Sequence, residues 1–144
     1  MILLDTTVLV YAKGADHPFR EPCRRLIDAI AGGELEATTT VEVIQELVHV
    51  RAQRRARSDA VALGGDYADL LAPLLTVEHE HLRRGLSLFE RHQQLGAFDA
   101  VLAAAALDTD VSALVSADSA FAHVSNLPHV VPDETGVERL LKAG

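Results

Sequence analysis

Residues 1–12 read MILLDTTVLVYA, and the way this stretch is parsed decides the rest. Ile2 to Leu4 is a short apolar run that stops at an acid, Asp5, as a strand buried on both faces of a parallel sheet would. Thr6 and Thr7 are placed to cap the next segment, in which Val8, Leu9, Val10 and Tyr11 continue as a short apolar turn or helix before Gly14.

Outward from that opening, strands and helices alternate. Apolar positions Cys23, Leu26, Ile27 and Ile30 predict a helix over Pro22 to Ala31, stopped by Gly32 and Gly33. Leu35 to Thr39 reads as a second strand. Threonine caps then start a helix whose stripe is Val41, Ile44, Leu47 and Val48, reaching about Arg57. A helix from Ser58 is weakened by Gly64 and Gly65 and ended by Pro73. Leu74 to Val77 reads as a third strand, and Glu78 begins a helix to about Leu95 with Leu82, Leu86 and Phe89 on its apolar face. Phe98 to Leu107 is alanine-rich and nearly all apolar, which suits an interior helix. Ala113 to Val115 is a strand ending in Ser116, Ala117 and Asp118, His129 to Val131 a fifth, and Asp133 to Lys142 a closing helix. With no hairpin turn signals between strands, this order predicts an α/β fold of three layers, a central parallel sheet of four to five strands flanked by helices.

The chain has 144 residues, 49% apolar and 24% charged, so one domain over 1–144 is expected, and neither disorder nor a fibrous repeat fits. The longest apolar run, Ala100 to Leu107, falls far short of the roughly 20 residues that span a bilayer. MILL followed at once by Asp5 lacks a basic leader, and the single cysteine, Cys23, cannot pair internally, so a cytoplasmic setting is expected. Cys23 itself falls on an apolar helical face and reads as core. Thirteen Lys and Arg against 21 Asp and Glu leave a formal charge of −8, which argues against a simple basic nucleic-acid binder. It does not argue against an enzyme that gathers carboxylates around divalent cations.

Ligands of an open parallel sheet bind beyond the carboxyl ends of its strands. Asp5 and Asp118 occupy two such ends, Asp99 lies in the first turn of the alanine-rich helix, and Glu46 flanks a buried helical stripe. Carboxylates gathered together repel unless protons or cations neutralise them, and oxygen-only ligands select a hard ion such as Mg²⁺ or Mn²⁺. The chemistry implied is phosphodiester hydrolysis by a cation-activated water.

Four blocks carry a resemblance: DTTVLVYA at 5–12, VIQELV at 43–48, FDAVLAAAAL at 98–107 and LVSADSAF at 114–121. Together, in this order and spacing, they resemble the PIN-domain ribonucleases, specifically the VapC toxins of prokaryotic toxin-antitoxin pairs, over nearly the whole chain. The resemblance implies a Mg²⁺- or Mn²⁺-dependent endoribonuclease with Asp5, Glu46, Asp99 and Asp118 as its acidic quartet and Ser116 as its small hydroxyl residue. It also implies a homodimer and a small antitoxin that blocks the site. Thr7 stands where many members carry Asn or Ser.

Competing readings are local. Thr6 and Ser116 are candidates to support the acids, and Glu42, four residues before Glu46 on the same helical face, stands behind it as an outer group. His79 and His81 point about 200° apart on a helix and cannot chelate together, so they read as a solvated helix start. Arg51, Arg54, Arg55 and Arg57 read as cations at a helix C-terminus, with RNA phosphate or antitoxin as the alternative partner. A haloacid-dehalogenase-type phosphatase would need Asp where Thr7 stands, and a non-catalytic module that binds RNA or antitoxin is the remaining alternative.

Overall fold

The computed structural model describes all 144 residues, Met1–Gly144. Strand β1 (Ile2–Leu4) is fully buried, and it runs through Asp5 into α1 (Thr6–Lys13). Helix α2 (Arg20–Ala31), strand β2 (Ala37–Thr38) and helices α3 (Val41–Ala52), α4 (Arg57–Leu70), α5 (His79–Arg91) and α6 (Ala97–Leu107) come next. Strand β3 (Ala113–Val115), a 3-10 turn at Ser119–His123, strand β4 (His129–Val130) and helix α7 (Glu134–Ala143) complete the chain. The four strands lie in the order β2-β1-β3-β4, all parallel. Two successive strands are added on opposite sides of β1, so the order reverses between β1 and β3, where such sheets open a crevice at their carboxyl edge.

A continuous core of 29 buried residues extends from β1 and α1 through α6 and β3 to Val137 and Leu140 of α7. Its centre owes its density to alanine. Ala103, Ala104 and Ala105 of α6 are fully buried, and with no side chain beyond Cβ they let the helix lie close to its neighbours. No helix is long and apolar enough to cross a membrane.

Several sequence expectations change. Leu74 to Val77 is not a strand: a single bridge joins Thr40 and Leu75, with Leu75 N–H donating to Thr39 at 2.9 Å. Pro73 just before it has no N–H to extend the ladder, so the sheet stops at four strands. Thr6 and Thr7 are the first residues of α1, not its caps; Asp5 holds the cap position. Thr40 does cap α3, accepting from Val43 N–H at 3.2 Å. Helix α3 ends at Ala52, so Arg54 and Arg55 lie in the turn and Arg57 opens α4. Arg51 pairs with Asp59 at 2.7 Å, an internal use of a cation assigned to the helix end. Gly64 does not break α4, because a Cβ there would sit 2.5 Å from Val48; the glycine lets α4 seat against α3.

Helix α5 departs furthest. Leu82, Leu86 and Phe89 are exposed, while His81, Gly85 and Leu88 are buried. Two faces of this helix compete, and the glycine face wins because it permits backbone contact: a Cβ on Gly85 would lie 2.7 Å from Val101 Cα in α6. His81 is therefore no solvated helix start. Its Nδ1 accepts from Glu78 N–H at 2.9 Å, closing a reciprocal cap, and its Nε2 meets the Asp108 carboxylate at 3.0 Å at the far end of α6.

Gly85→Ala should force α5 from α6. Overpacking of this kind costs about 1–3 kcal/mol, partly offset by alanine's better helix propensity. A melting temperature lower by several degrees, about 2–4 °C per kcal/mol in a chain of this size, is the expected readout.

Candidate active site

Leu4 and Val115 stand side by side in the β1–β3 register, and Asp5 N–H donates to the Val115 carbonyl at 3.0 Å. Asp5 and Ser116, each one residue beyond its strand, consequently emerge abreast at the carboxyl edge. Ser116 Oγ donates to Asp5 Oδ2 at 2.6 Å, and Thr7 Oγ1 donates to the same oxygen at 3.0 Å. Both hydroxyls also accept from the next turn of chain, Ser116 from Asp118 N–H and Thr7 from Ala117 N–H, each at 3.0 Å. Two small side chains thus lock the exit of β3 onto the exit of β1.

Asp118 caps the 3-10 turn through Oδ1, which accepts from Ala120 N–H at 2.9 Å. Glu46, in the second turn of α3, accepts at Oε2 from Thr6 Oγ1 at 3.0 Å. Its helix is tied to β1 by Thr39, whose hydroxyl donates to the Leu4 carbonyl at 2.8 Å. Asp99 enters from the first turn of α6, close enough to Asp5, Asp118 and Glu46 for their charges to act on it. Burial raises the Asp99 pKa first, and the charges of Asp5, Asp118 and Glu46 raise it further, to about 7. The sheet edge therefore brings together the four acids singled out in the sequence, with Thr6 and Ser116 supporting them. Glu42 bonds to none of them: its Oε2 is buried without a hydrogen-bond partner.

Two supporting residues escaped sequence reading. Thr7 has a dual bond that its spacing two residues after Asp5 could have suggested, since short hydroxyl side chains near turns bond locally. His129 Nε2 donates to the Ser116 carbonyl at 2.9 Å, a contact that no local pattern announces.

Serine, threonine and backbone donors take one oxygen each of Asp5, Glu46 and Asp118, and the second oxygen of each receives no such donor. No three of the acids form a closed metal cage. An all-oxygen set with free oxygens and one acid kept protonated near neutrality suits a hard divalent ion.

The PIN domain family matches residues 2–127, a span that contains all four acids. The chain belongs to the PIN-domain family. It is similar to Ribonuclease VapC7 of Mycobacterium tuberculosis, with 55% identity over 98% of both chains. VapC ribonuclease Mb1869c of Mycobacterium bovis and Ribonuclease VapC13 of Mycobacterium tuberculosis each share 34% identity over 84% of this chain and 92% of the relative. Membership in this family displaces the dehalogenase-type phosphatase reading, and the Thr7 hydroxyl occupies the place its second aspartate would need.

The Asp99 pKa has a measurable consequence. The folded chain keeps the proton up to about pH 7, whereas the ordinary value is 3.8, so stability falls as pH rises through that window. Asp99→Asn removes the charge and should raise the melting temperature of the metal-free protein by about 3 °C or more at pH 8, roughly 1 kcal/mol, and by far less at pH 4. Thermal denaturation across that pH range measures it; an equal shift at both ends would remove the electrostatic explanation.

Proposed function

We propose that this chain is an endoribonuclease toxin, working as one domain over 1–144, that needs Mg²⁺ or Mn²⁺ and is inhibited by a cognate small antitoxin. The observation that carries the reading is the meeting of Asp5, Glu46, Asp99 and Asp118 at the point where strand order reverses. Relatives named as VapC ribonucleases over nearly full length support it.

A bound divalent cation supplies the positive charge that lets a phosphodiester approach an acidic edge, and it activates the attacking water. The chain's own residues do the rest. Asp5, Glu46 and Asp118 would hold the cation with the oxygens left without a hydroxyl or backbone donor, and Asp99, once ionised, would join them. Ser116 and Thr7 keep Asp5, Thr6 keeps Glu46 and the Ala120 N–H keeps Asp118 from turning away, which matters because a misplaced ligand loses both affinity and rate.

The same charges explain inhibition. An antitoxin Arg placed among the acids would pair with carboxylates in the cation's stead. Between α1, α3 and α4 lies a small cleft walled by Leu9, Leu47, Val50 and Leu63, with Lys13, Arg51 and Arg54 at its rim, and it suits an apolar antitoxin segment. The homodimer has a candidate face in Leu82, Leu86 and Phe89. A cytoplasmic setting agrees with the lone thiol Cys23, which burial pushes up to about 12 and so makes unreactive.

Asp5→Asn, Glu46→Gln, Asp99→Asn and Asp118→Asn should each lower RNA cleavage by about 100-fold or more while the protein remains folded. Divalent ions should raise the melting temperature and EDTA reverse it. Products should carry 5′-phosphate and 3′-hydroxyl ends. Wild-type cleavage by all four variants would remove the site assignment; full activity in EDTA would remove the cation. A folded wild type that binds RNA or antitoxin without cutting, with either ion, would make it a binding module.

A further inference from the structure

Aromatic rings are scarce in this chain, four Phe and two Tyr in 144 residues, yet two of the six gather with a histidine around the end of α1. Tyr11, in the last turn of α1, and Phe19, just before α2, pack edge to face with centroids 5.7 Å apart and lie half-buried against the core. His17 is exposed. Its ring stacks on Tyr11 with centroids 4.3 Å apart and planes 25° from parallel, it meets Phe19 at 5.3 Å, and its Nδ1 accepts from Phe19 N–H at 3.1 Å. An exposed ring is thus held in place by two neighbours and a hydrogen bond, where a solvated loop histidine would keep its rotamer freedom.

The position of the stack ties it to the acids. Tyr11 lies four residues after Thr7 on the same face of α1, about 6 Å along the axis. Thr7 is the residue whose hydroxyl bonds Asp5 and the Ala117 N–H. Helical aromatic side chains lean toward the N-terminus of their helix, so the Tyr11 ring is directed back over the turn that carries Thr7. None of the five main cavities is lined by Tyr11, His17 or Phe19, so the cluster offers ring faces and not a hole for an inserted side chain.

We propose that Tyr11 and His17, backed by Phe19, form a stacking platform for one unpaired base of the RNA beside the scissile phosphate, an inference that rests on the nuclease reading. Every base has a π-face, so such a platform selects a single strand and not a sequence. The formal charge of −8 makes the contact useful, because an acidic surface repels phosphates while stacking attracts the uncharged part of a nucleotide. An apolar antitoxin segment is served elsewhere: Leu9 and Lys13, which line the cleft between α1, α3 and α4, point about 200° from Tyr11 on the helix.

The test first maps the wild-type cut in a short single-stranded RNA, then measures kcat/KM on copies in which one nucleotide at a time near the cut is abasic. One position should lose about tenfold, whichever base stood there. His17→Ala should lose about tenfold on the intact RNA, through KM with kcat unchanged, and nothing further on the RNA that is abasic at that position. His17→Phe restores a ring and should return the intact RNA to within about twofold of wild type. Tyr11→Leu keeps an apolar contact with the core but removes the ring; it should repeat the His17→Ala pattern and is the second arm if His17→Ala does not fold. No sensitive position, an abasic penalty that survives in His17→Ala, or His17→Phe no better than His17→Ala would overturn the proposal. Unchanged RNA cleavage by His17→Ala with weakened antitoxin binding would overturn it as well and give the rings to the protein partner. If the wild type cuts no RNA, the nuclease reading fails separately, and the platform is judged by the fluorescence of 2-aminopurine in single-stranded RNA, which stacking on a ring quenches. Quenching by the wild type that is lost in His17→Ala would then support the platform, and equal quenching by the two would overturn it.

Discussion

Four carboxylates brought to one place push one another apart, and the architecture around them is arranged to resist that push. Asp5 is only 3% exposed, yet two hydroxyls, from Ser116 and Thr7, converge on one of its oxygens. Those hydroxyls accept in turn from the backbone of residues 117 and 118. A buried anion is tolerable when donors replace its lost water, and these donors are fixed by strand register, not by mobile loops. The pairing of β1 with β3 is therefore both the centre of the sheet and the frame of the site.

The other two acids depend on how closely helices can approach that frame. Alanine in α6 and glycine at positions 64 and 85 remove the side chains that would hold α3, α4, α5 and α6 apart. Close packing carries Asp99 to Asp118, and the tie from Thr39 to Leu4 anchors the helix that bears Glu46. Small residues thus serve the site indirectly, by letting rigid elements meet where the charges are needed.

An acidic protein proposed to act on an anionic polymer needs positive charge at the moment of contact. In the metal-free chain a proton on Asp99 relieves part of the repulsion, and a divalent ion would replace that proton with more charge and a defined geometry. The proposed antitoxin arginine answers the same electrostatic demand. Cation, proton and inhibitor become alternatives for one acidic site, which would make inhibition and activation two outcomes of a single competition.

Much of the frame could be read directly from residue order. Apolar runs ending in acids, alternating with helical stripes, were enough to put Asp5 and Asp118 at strand ends and to predict a parallel sheet, because strand burial and helix periodicity are local properties written in consecutive residues, whereas the grouping of Glu46 and Asp99 with them leaned on the blocks that resemble the family. The blocks around those acids were also enough to recognise the family. What consecutive residues could not decide was which of two helix faces would be buried. Leu82, Leu86 and Phe89 form the better apolar stripe, but contact with α6 is won by Gly85 through backbone proximity, and His81 is drawn inside by Asp108, 27 positions away. The missing strand at Leu74 to Val77, the Thr7 and His129 contacts, and the unpartnered oxygen of Glu42 share that cause. Each depends on atoms distant in sequence, and only the folded chain brings those atoms together.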